Sequence, residues 1–284
     1  MSDRAFRPPA REAGFGLIEL ITALVISAVV LVAIFSTYFR TLGFSGRVTN
    51  TVESRQHARL ALQLLERDIR MAGSGWGRLR VDGSWNGNPA VYYGLTWGCG
   101  GAGQSDSLQL MGAWSAATTL RTALPTTSST IGVQSTTGFS VGDLIVVTNG
   151  SSAHLFEVTG VTASPASLGH DAASPYDNPA GFQNWPASGY GVGAEVLRID
   201  RVSYRFDSTG FGRPCLLRQV NGGAPQVAAW NIDRFTRSYL LQDGTVTREP
   251  DTLAVIDRVI PTIVTHVTDG AQDSVVAEIR PRAF

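Results

Sequence analysis

From Phe15 to Phe39 the chain runs for 25 residues with no Lys, Arg, Asp or His and one acid, Glu19. Wound as a helix rising about 1.5 Å per residue, such a run spans a hydrocarbon core roughly 30 Å thick. The pattern then changes. Gly43 and Gly46 fall in a polar patch containing Ser and Thr, and each glycine weakens a helix by about 1 kcal/mol relative to Ala, so a local kink or melt is expected there. Beyond it Ala58, Ala61, Leu62, Leu65, Ile69 and Ala72 recur at steps of three and four, which makes one apolar stripe. Glu66 and Arg70 stand at i,i+4 in the favourable order, and Gly73 is placed to end the helix. The pattern predicts one long helix from about 15 to 72. Its first half suits lipid and its second half suits packing on an outer domain.

After residue 72 the period shortens. Residues 73–105 mix glycine with Trp76, Trp85, Tyr92, Tyr93 and Trp97 and read as loops carrying large anchors, with an adhesive surface as the other reading of those rings. Runs with strand character follow at Ser107–Met111, Thr118–Leu124, Leu144–Thr148 and His154–Val161. Residues 162–194, rich in Pro, Gly, Ala and Ser and holding Tyr176 and Trp185, read as a surface loop insertion. Strand signals resume at Glu195–Phe206 and Cys215–Val220. Pro225–Leu241 fits helix or strand, and Arg258–Val267 and Ser274–Ile279 close the chain. No internal repeat is present. The expected class is α+β: a long N-terminal helix packed on a mainly antiparallel β outer domain, residues 73–284.

Charge sets the orientation. Arg4, Arg7 and Arg11 precede the apolar run, which keeps the N-terminus cytoplasmic and sends the remainder outward. All 23 basic residues are Arg, they balance 23 acids, and after residue 80 they are scattered, so no nucleic-acid footprint is expected. The two cysteines, Cys99 and Cys215, fall on the outer side, where disulfides persist. Pairing would close a loop worth about 4–5 kcal/mol in the chain-entropy model; two unrelated thiols are the alternative. Neither Cys has the spacing of a metal ligand, and no metal or cofactor is expected.

The segment around Glu19 is more specific. A charged leader ends in Gly14, the aromatic Phe15 follows, and Leu17-Ile18-Glu19-Leu20 puts the acid fifth after that glycine. This resembles the class III signal of type IV pilins and type II secretion pseudopilins. The resemblance implies a leader of residues 1–14, cut after Gly14 by a membrane peptidase that N-methylates Phe15. It implies a surviving helix that becomes the core of a filament, and a Glu19 that docks on an N-terminal amine. A carboxylate near the centre of a membrane helix costs about 2.5–3.5 kcal/mol, and less near an end. A neighbour's ammonium would offset that cost. A secretory signal fits less well, because its apolar stretch is only 7–15 residues and its cleavage site follows that stretch.

Further on, Arg59–Gly73 is similar to the helix end of PilW-type minor pilins and more loosely of J-type minor pseudopilins. Shorter stretches with the same likeness are 142–147, 156–159, 202–207, 214–219 and 232–239. The PilW resemblance implies a minor pilin without catalysis, working in a priming complex at the tip. Its partners would be other minor and major pilins, the prepilin peptidase, the inner-membrane assembly platform and the membrane itself. A J-type pseudopilin is the near alternative, and a membrane-anchored periplasmic binding domain or enzyme is the distant one.

Other motifs carry less. Gly138-Phe139-Ser140-Val141-Gly142 fits G-x-S-x-G, but a strand-like run follows where a nucleophile elbow needs a helix. Gly98–Gly103 fits G-x-G-x-x-G without a βαβ context. His57, His154, His170 and His266 are widely spaced, and Asp171, Asp177 and Asn178 lack the alternation of a calcium loop.

Overall fold

A computed structural model describes residues 16–77, 79–85, 88–92, 94–98, 105–171, 174–176, 183–250, 256–266 and 272–281. The chain divides into two compact units, Met1–Asn50 and Thr51–Phe284. Helix α1, Leu17–Met71, agrees with the expected span to within two residues at each end. Its backbone stays helical at Gly43 and Gly46, so the expected melt is absent. Propagating a helix adds a hydrogen bond per residue, and two isolated glycines do not outweigh the cost of nucleating it again.

In the first unit α1 exposes apolar side chains all round, from Leu17 to Leu42. The second unit opens with the last turns of α1. There the stripe of Ala58, Ala61, Leu62, Leu65, Ile69 and Ala72 is buried. At the helix end Gly73 takes a positive φ of 74° and donates its N–H to the Met111 carbonyl at 2.8 Å.

Seventeen strands follow among the described residues. β1 (Val81–Trp85), β2 (Asn88–Tyr92) and β3 (Leu95–Gly98) occupy the stretch expected to be loops. Their aromatic and β-branched residues, Trp85, Val81, Val91, Tyr92, Thr96 and Trp97, fall within these strands. β4 (Ser107–Gly112), β5 (Ala117–Thr119), β6 (Ile131–Gly132), β7 (Leu144–Thr148) and β8 (Ala153–Glu157) come next. β9 (Gly160–Ala163) and β10 (Ala166–Gly169) form a hairpin, where the pattern suggested only a loop insertion from 162 onward. The chain continues with β11 (Glu195–Asp207), β12 (Cys215–Val220), β13 (Gln226–Trp230), β14 (Ile232–Leu241), β15 (Val246–Thr247), β16 (Ile256–His266) and β17 (Gln272–Val276). The ambiguous 225–241 segment is thus two strands. Asn231, at φ 57°, separates them, a conformation its short amide tolerates.

One sheet has ten strands, with the path β13-β12-β11-β7-β8-β1-β2 and with β3, β4 and β5 off it. β6-β10-β9 form a second sheet and β15-β14-β16-β17 a third. β1 runs parallel to β8, and every other described strand pairing is antiparallel. The fold is α+β, as the pattern indicated. Strand β11 is the spine of the large sheet. Glu195–Ile199 pairs with β7, Glu195–Leu197 also with β5, and from Asp200 the strand pairs with β4, joined from Val202 by β12.

The core follows from those pairings. The helix stripe packs with Leu108 and Leu110 of β4, Val202 and Tyr204 of β11, Leu216 of β12, Phe235 and Tyr239 of β14, and Val259 and Ile263 of β16. The end of α1 is therefore enclosed by two sheets. A separate cluster of Leu120, Ile131, Ile145, Phe156, Leu168 and Tyr190 joins the small sheet to β7 and β8.

Candidate functional site

The first turn of α1 holds the lone acid of the apolar run. The Gly16 N–H donates to Glu19 Oε2 at 3.1 Å, and the Gly16 carbonyl accepts from the N–H of Glu19 and Leu20 at 3.0 and 3.3 Å. This is half of a capping box, in which a carboxylate at the third helical position satisfies the N–H of the capping residue. A negative charge there also faces the positive end of the helix dipole. Gly16 can occupy the cap because its N–H is one of the donors a helix start leaves unpaired. A carboxylate offers about four acceptor positions, and Gly16 takes one of them, which leaves room for an ammonium. Gly14 and Phe15, the residues expected to flank the cut, lie outside the described residues.

Below this turn four hydroxyls of the helix bond to its own carbonyls. Thr22 donates to the Ile18 and Glu19 carbonyls at 2.9 and 3.0 Å. Ser36 and Thr37 both donate to the Ala33 carbonyl at 2.9 Å, and Thr41 donates to the Thr37 carbonyl at the same distance. Such bonds satisfy these four hydroxyls without water in an apolar medium. Phe35, Tyr38 and Phe39 form a ring group at the far end of the run, with centroids 6.0–6.5 Å apart. Aromatic rings gather at that depth where a membrane helix meets its interface. Leu17–Leu42 is long and apolar enough to cross a membrane.

In the second unit Cys215 opens β12. It is buried and its thiol is free. Burial, and then the nearby Asp207 carboxylate, hold that thiol above its ordinary range. Cys99 lies outside the described residues, but the residue before it, Gly98, ends β3. β3, β4, β11 and β12 lie side by side in that order.

Of the remaining sequence candidates, one resolves as a turn. In the G-x-S-x-G stretch the Ser140 N–H donates to Asp143 Oδ2 at 2.8 Å, and the turn leads into β7, so no nucleophile elbow forms. Asp177, Asn178 and residues 99–104 lie outside the described residues. Among the described residues no group of three His, Cys, Asp or Glu is arranged to hold a metal. Trp76 is buried among Val81, Met111, Leu144 and Leu155, as an anchor would be. The side chains of Trp85, Tyr92, Tyr93 and Trp97 are not described.

Two buried polar centres escape a linear reading. Asp68 is 3% exposed and accepts from Tyr204 and Arg218. Its signal was an acid lying inside the apolar stripe between Leu65 and Ala72. His154 is fully buried with both ring nitrogens engaged, and its partners stand 29 and 36 residues away, where no spacing rule reaches.

A model of the prokaryotic N-terminal methylation motif matches residues 9–35. No curated protein and no solved structure matches the chain. The motif and the apolar helix together support a type IV pilin-like protein and suggest membrane anchoring.

Proposed function

We propose that this chain is a minor pilin of the PilW kind, cut after Gly14, methylated on Phe15 and held in the inner membrane by its helix until it enters a filament. In this reading residues 1–14 are the leader, residues 15–72 the anchoring and packing helix, and residues 73–284 the outer domain. The N-terminus faces the cytoplasm, and the outer domain is periplasmic before assembly and on the cell surface afterwards. Its role is assembly with other pilins, in a complex that primes the filament, and not catalysis.

The observation that carries the proposal is the placement of Glu19. It is the one charged side chain between Leu17 and Phe39 of the exposed apolar helix, it lies within the matched motif, and its carboxylate turns back to the helix start. For anchoring alone a Leu would serve better by a few kcal/mol. A carboxylate kept there fits a contact with an amine arriving at the same helix end.

Mass spectrometry of the mature N-terminus tests the proposal. The expected first residue is N-methylated Phe15, and Gly14→Val is expected to accumulate precursor, because a β-branched side chain does not fit where only hydrogen stood. A mature protein that begins at another residue rejects it.

A further inference from the structure

Residues 183–190 are fastened to the second compact unit around one sealed imidazole. His154, on β8, is fully buried. Its Nε2 lies 2.8 Å from the Gln183 carbonyl and its Nδ1 lies 2.6 Å from the Tyr190 hydroxyl. A carbonyl only accepts, so Nε2 carries the hydrogen; Nδ1 is then bare and accepts the Tyr190 O–H. The two ends of the segment are therefore tied to two edges of one ring. Between them the Trp185 ring lies 4.9 Å from that of His154 and 5.1 Å from that of Tyr190, and its Nε1–H donates to the Pro125 carbonyl at 3.3 Å. Asn184 donates to Asp82 Oδ2 at 3.1 Å, and Arg80 donates to both Asp82 and the Gln183 side-chain carbonyl, at 2.6 and 2.8 Å.

We propose that this arrangement is an acid-released clasp, in which protonation of His154 loosens residues 183–190 from β8. A proton on Nδ1 would face the Tyr190 O–H, donor against donor. The hydroxyl must then turn away while a positive charge enters a site closed to water. Among the described residues the charged and titratable groups around the ring include Asp82 of β1, Arg80 just before it, Tyr190, and His170 beyond the Phe156 ring. Asp82 favours the charged ring, yet it already accepts from Arg80 and Asn184.

Burial wins: it holds the His154 imidazole below its ordinary range, against the Gln183 carbonyl and Asp82, which pull upward. Burial, and then Asp82, also push the Tyr190 phenol up, so it remains a donor. The sign follows. The unfolded imidazole titrates near about 6.5 and the folded one lower. The clasp is thus complete above that pH and weakens as pH falls through the depressed value. The opposite end has a separate hold, since Tyr190 and Leu124 exchange backbone hydrogen bonds at 2.8 and 2.9 Å. Release therefore starts at Gln183 and pivots at Tyr190. The proposal does not depend on the pilin reading.

Hydrogen exchange of the full chain in detergent micelles, corrected for intrinsic rates between pH 7.5 and 4.5, tests it. Peptides covering 183–190 are expected to lose protection as pH falls, with a midpoint below the ordinary imidazole value. In His154→Gln the protection of this segment should not vary across that range. Wild-type protection that persists to pH 4.5, or the same profile in His154→Gln, overturns the proposal. NMR titration of the wild-type His154 ring needs no variant to fold. Its midpoint should coincide with the loss of protection, and a ring that titrates elsewhere rejects the clasp.

Discussion

The phenol of Tyr204 donates to Asp68 Oδ2 at 2.7 Å, joining β11 to the last turns of α1 across 136 positions of sequence. Arg218 of β12 donates to the same oxygen at 2.8 Å, and Arg67 donates to the other at 3.0 and 3.1 Å. Burial, and then Asp68 itself, push the Tyr204 phenol far above its usual range, which keeps it a donor at any physiological pH. Removing one partner of a buried ion pair strands the other charge, a cost of about 3–5 kcal/mol. Asp68→Ala is expected to lose stability at the lower part of that range, because Arg218 is only half-buried. Tyr204→Phe should lose about 1–2 kcal/mol. The exposed Arg67→Ala should change stability by under about 1 kcal/mol. Urea unfolding followed by tryptophan emission measures all three, and equal losses at Asp68 and Arg67 would show that the carboxylate is not a hub.

Glu19 gives a prediction about assembly. Glu19→Leu is expected to leave cleavage and membrane insertion intact while reducing co-purification with other pilins. Glu19→Gln should be milder, since its carbonyl can still accept the Gly16 N–H but carries no charge for an ammonium. Pull-down from membranes at matched protein level decides this. Wild-type recovery of partners by Glu19→Leu rejects a docking role.

For the cysteines the buried, free thiol of Cys215 governs the expectation. Thiol labelling of denatured, unreduced protein should find two free thiols, and Cys215 should label only after unfolding. Comigration of reduced and unreduced protein on electrophoresis is the companion result. A faster unreduced band would mean that Cys215 is bridged after all.

Gly94 is where a strand approach meets the helix end. A Cβ built on it falls 2.2 Å from Gly73 N and 2.4 Å from Gly73 Cα, both backbone atoms. No side-chain rotation relieves that contact, so Gly94→Ala is expected to destabilise by about 1–3 kcal/mol or more through overpacking. Gly160→Ala, with open space around the new methyl, is the control and should change the melting temperature little. Thermal unfolding of the two variants compares them directly.

The helix was legible because its two stripes are long and periodic: apolar all round to Leu42, then one face from Ala58 to Ala72. β7 and β12 were legible residue for residue, being short apolar runs bounded by turn chemistry. β1 to β3 and the β9–β10 hairpin were not. β1 to β3 lie in a stretch broken by glycines and β9–β10 are built largely of small residues, and the pairings of β1 with β8 and of β10 with β6 have no local signal. Thr118–Leu124 was read as a full strand, yet only Ala117–Thr119 pairs as one, with Leu120 and Leu124 adding single bridges. Of the candidate site, Glu19 was visible as a charge out of place. The partner it takes in the first turn, a backbone N–H, carries no sequence signal at all.

The spine strand β11 also dictates an order of events during synthesis. β5 pairs with β11 and with no other strand among the described pairings, and β4 and β7 each leave one edge open until it arrives. From Ser107 onward the nascent chain must therefore emerge as far as Asp207 with exposed strand edges before the central sheet can close. Such edges invite pairing with other chains, and closing distant contacts is slow because the loop entropy comes first. A ribosome stalled short of Glu195 would hold a chain with its helix complete and its largest sheet unable to form.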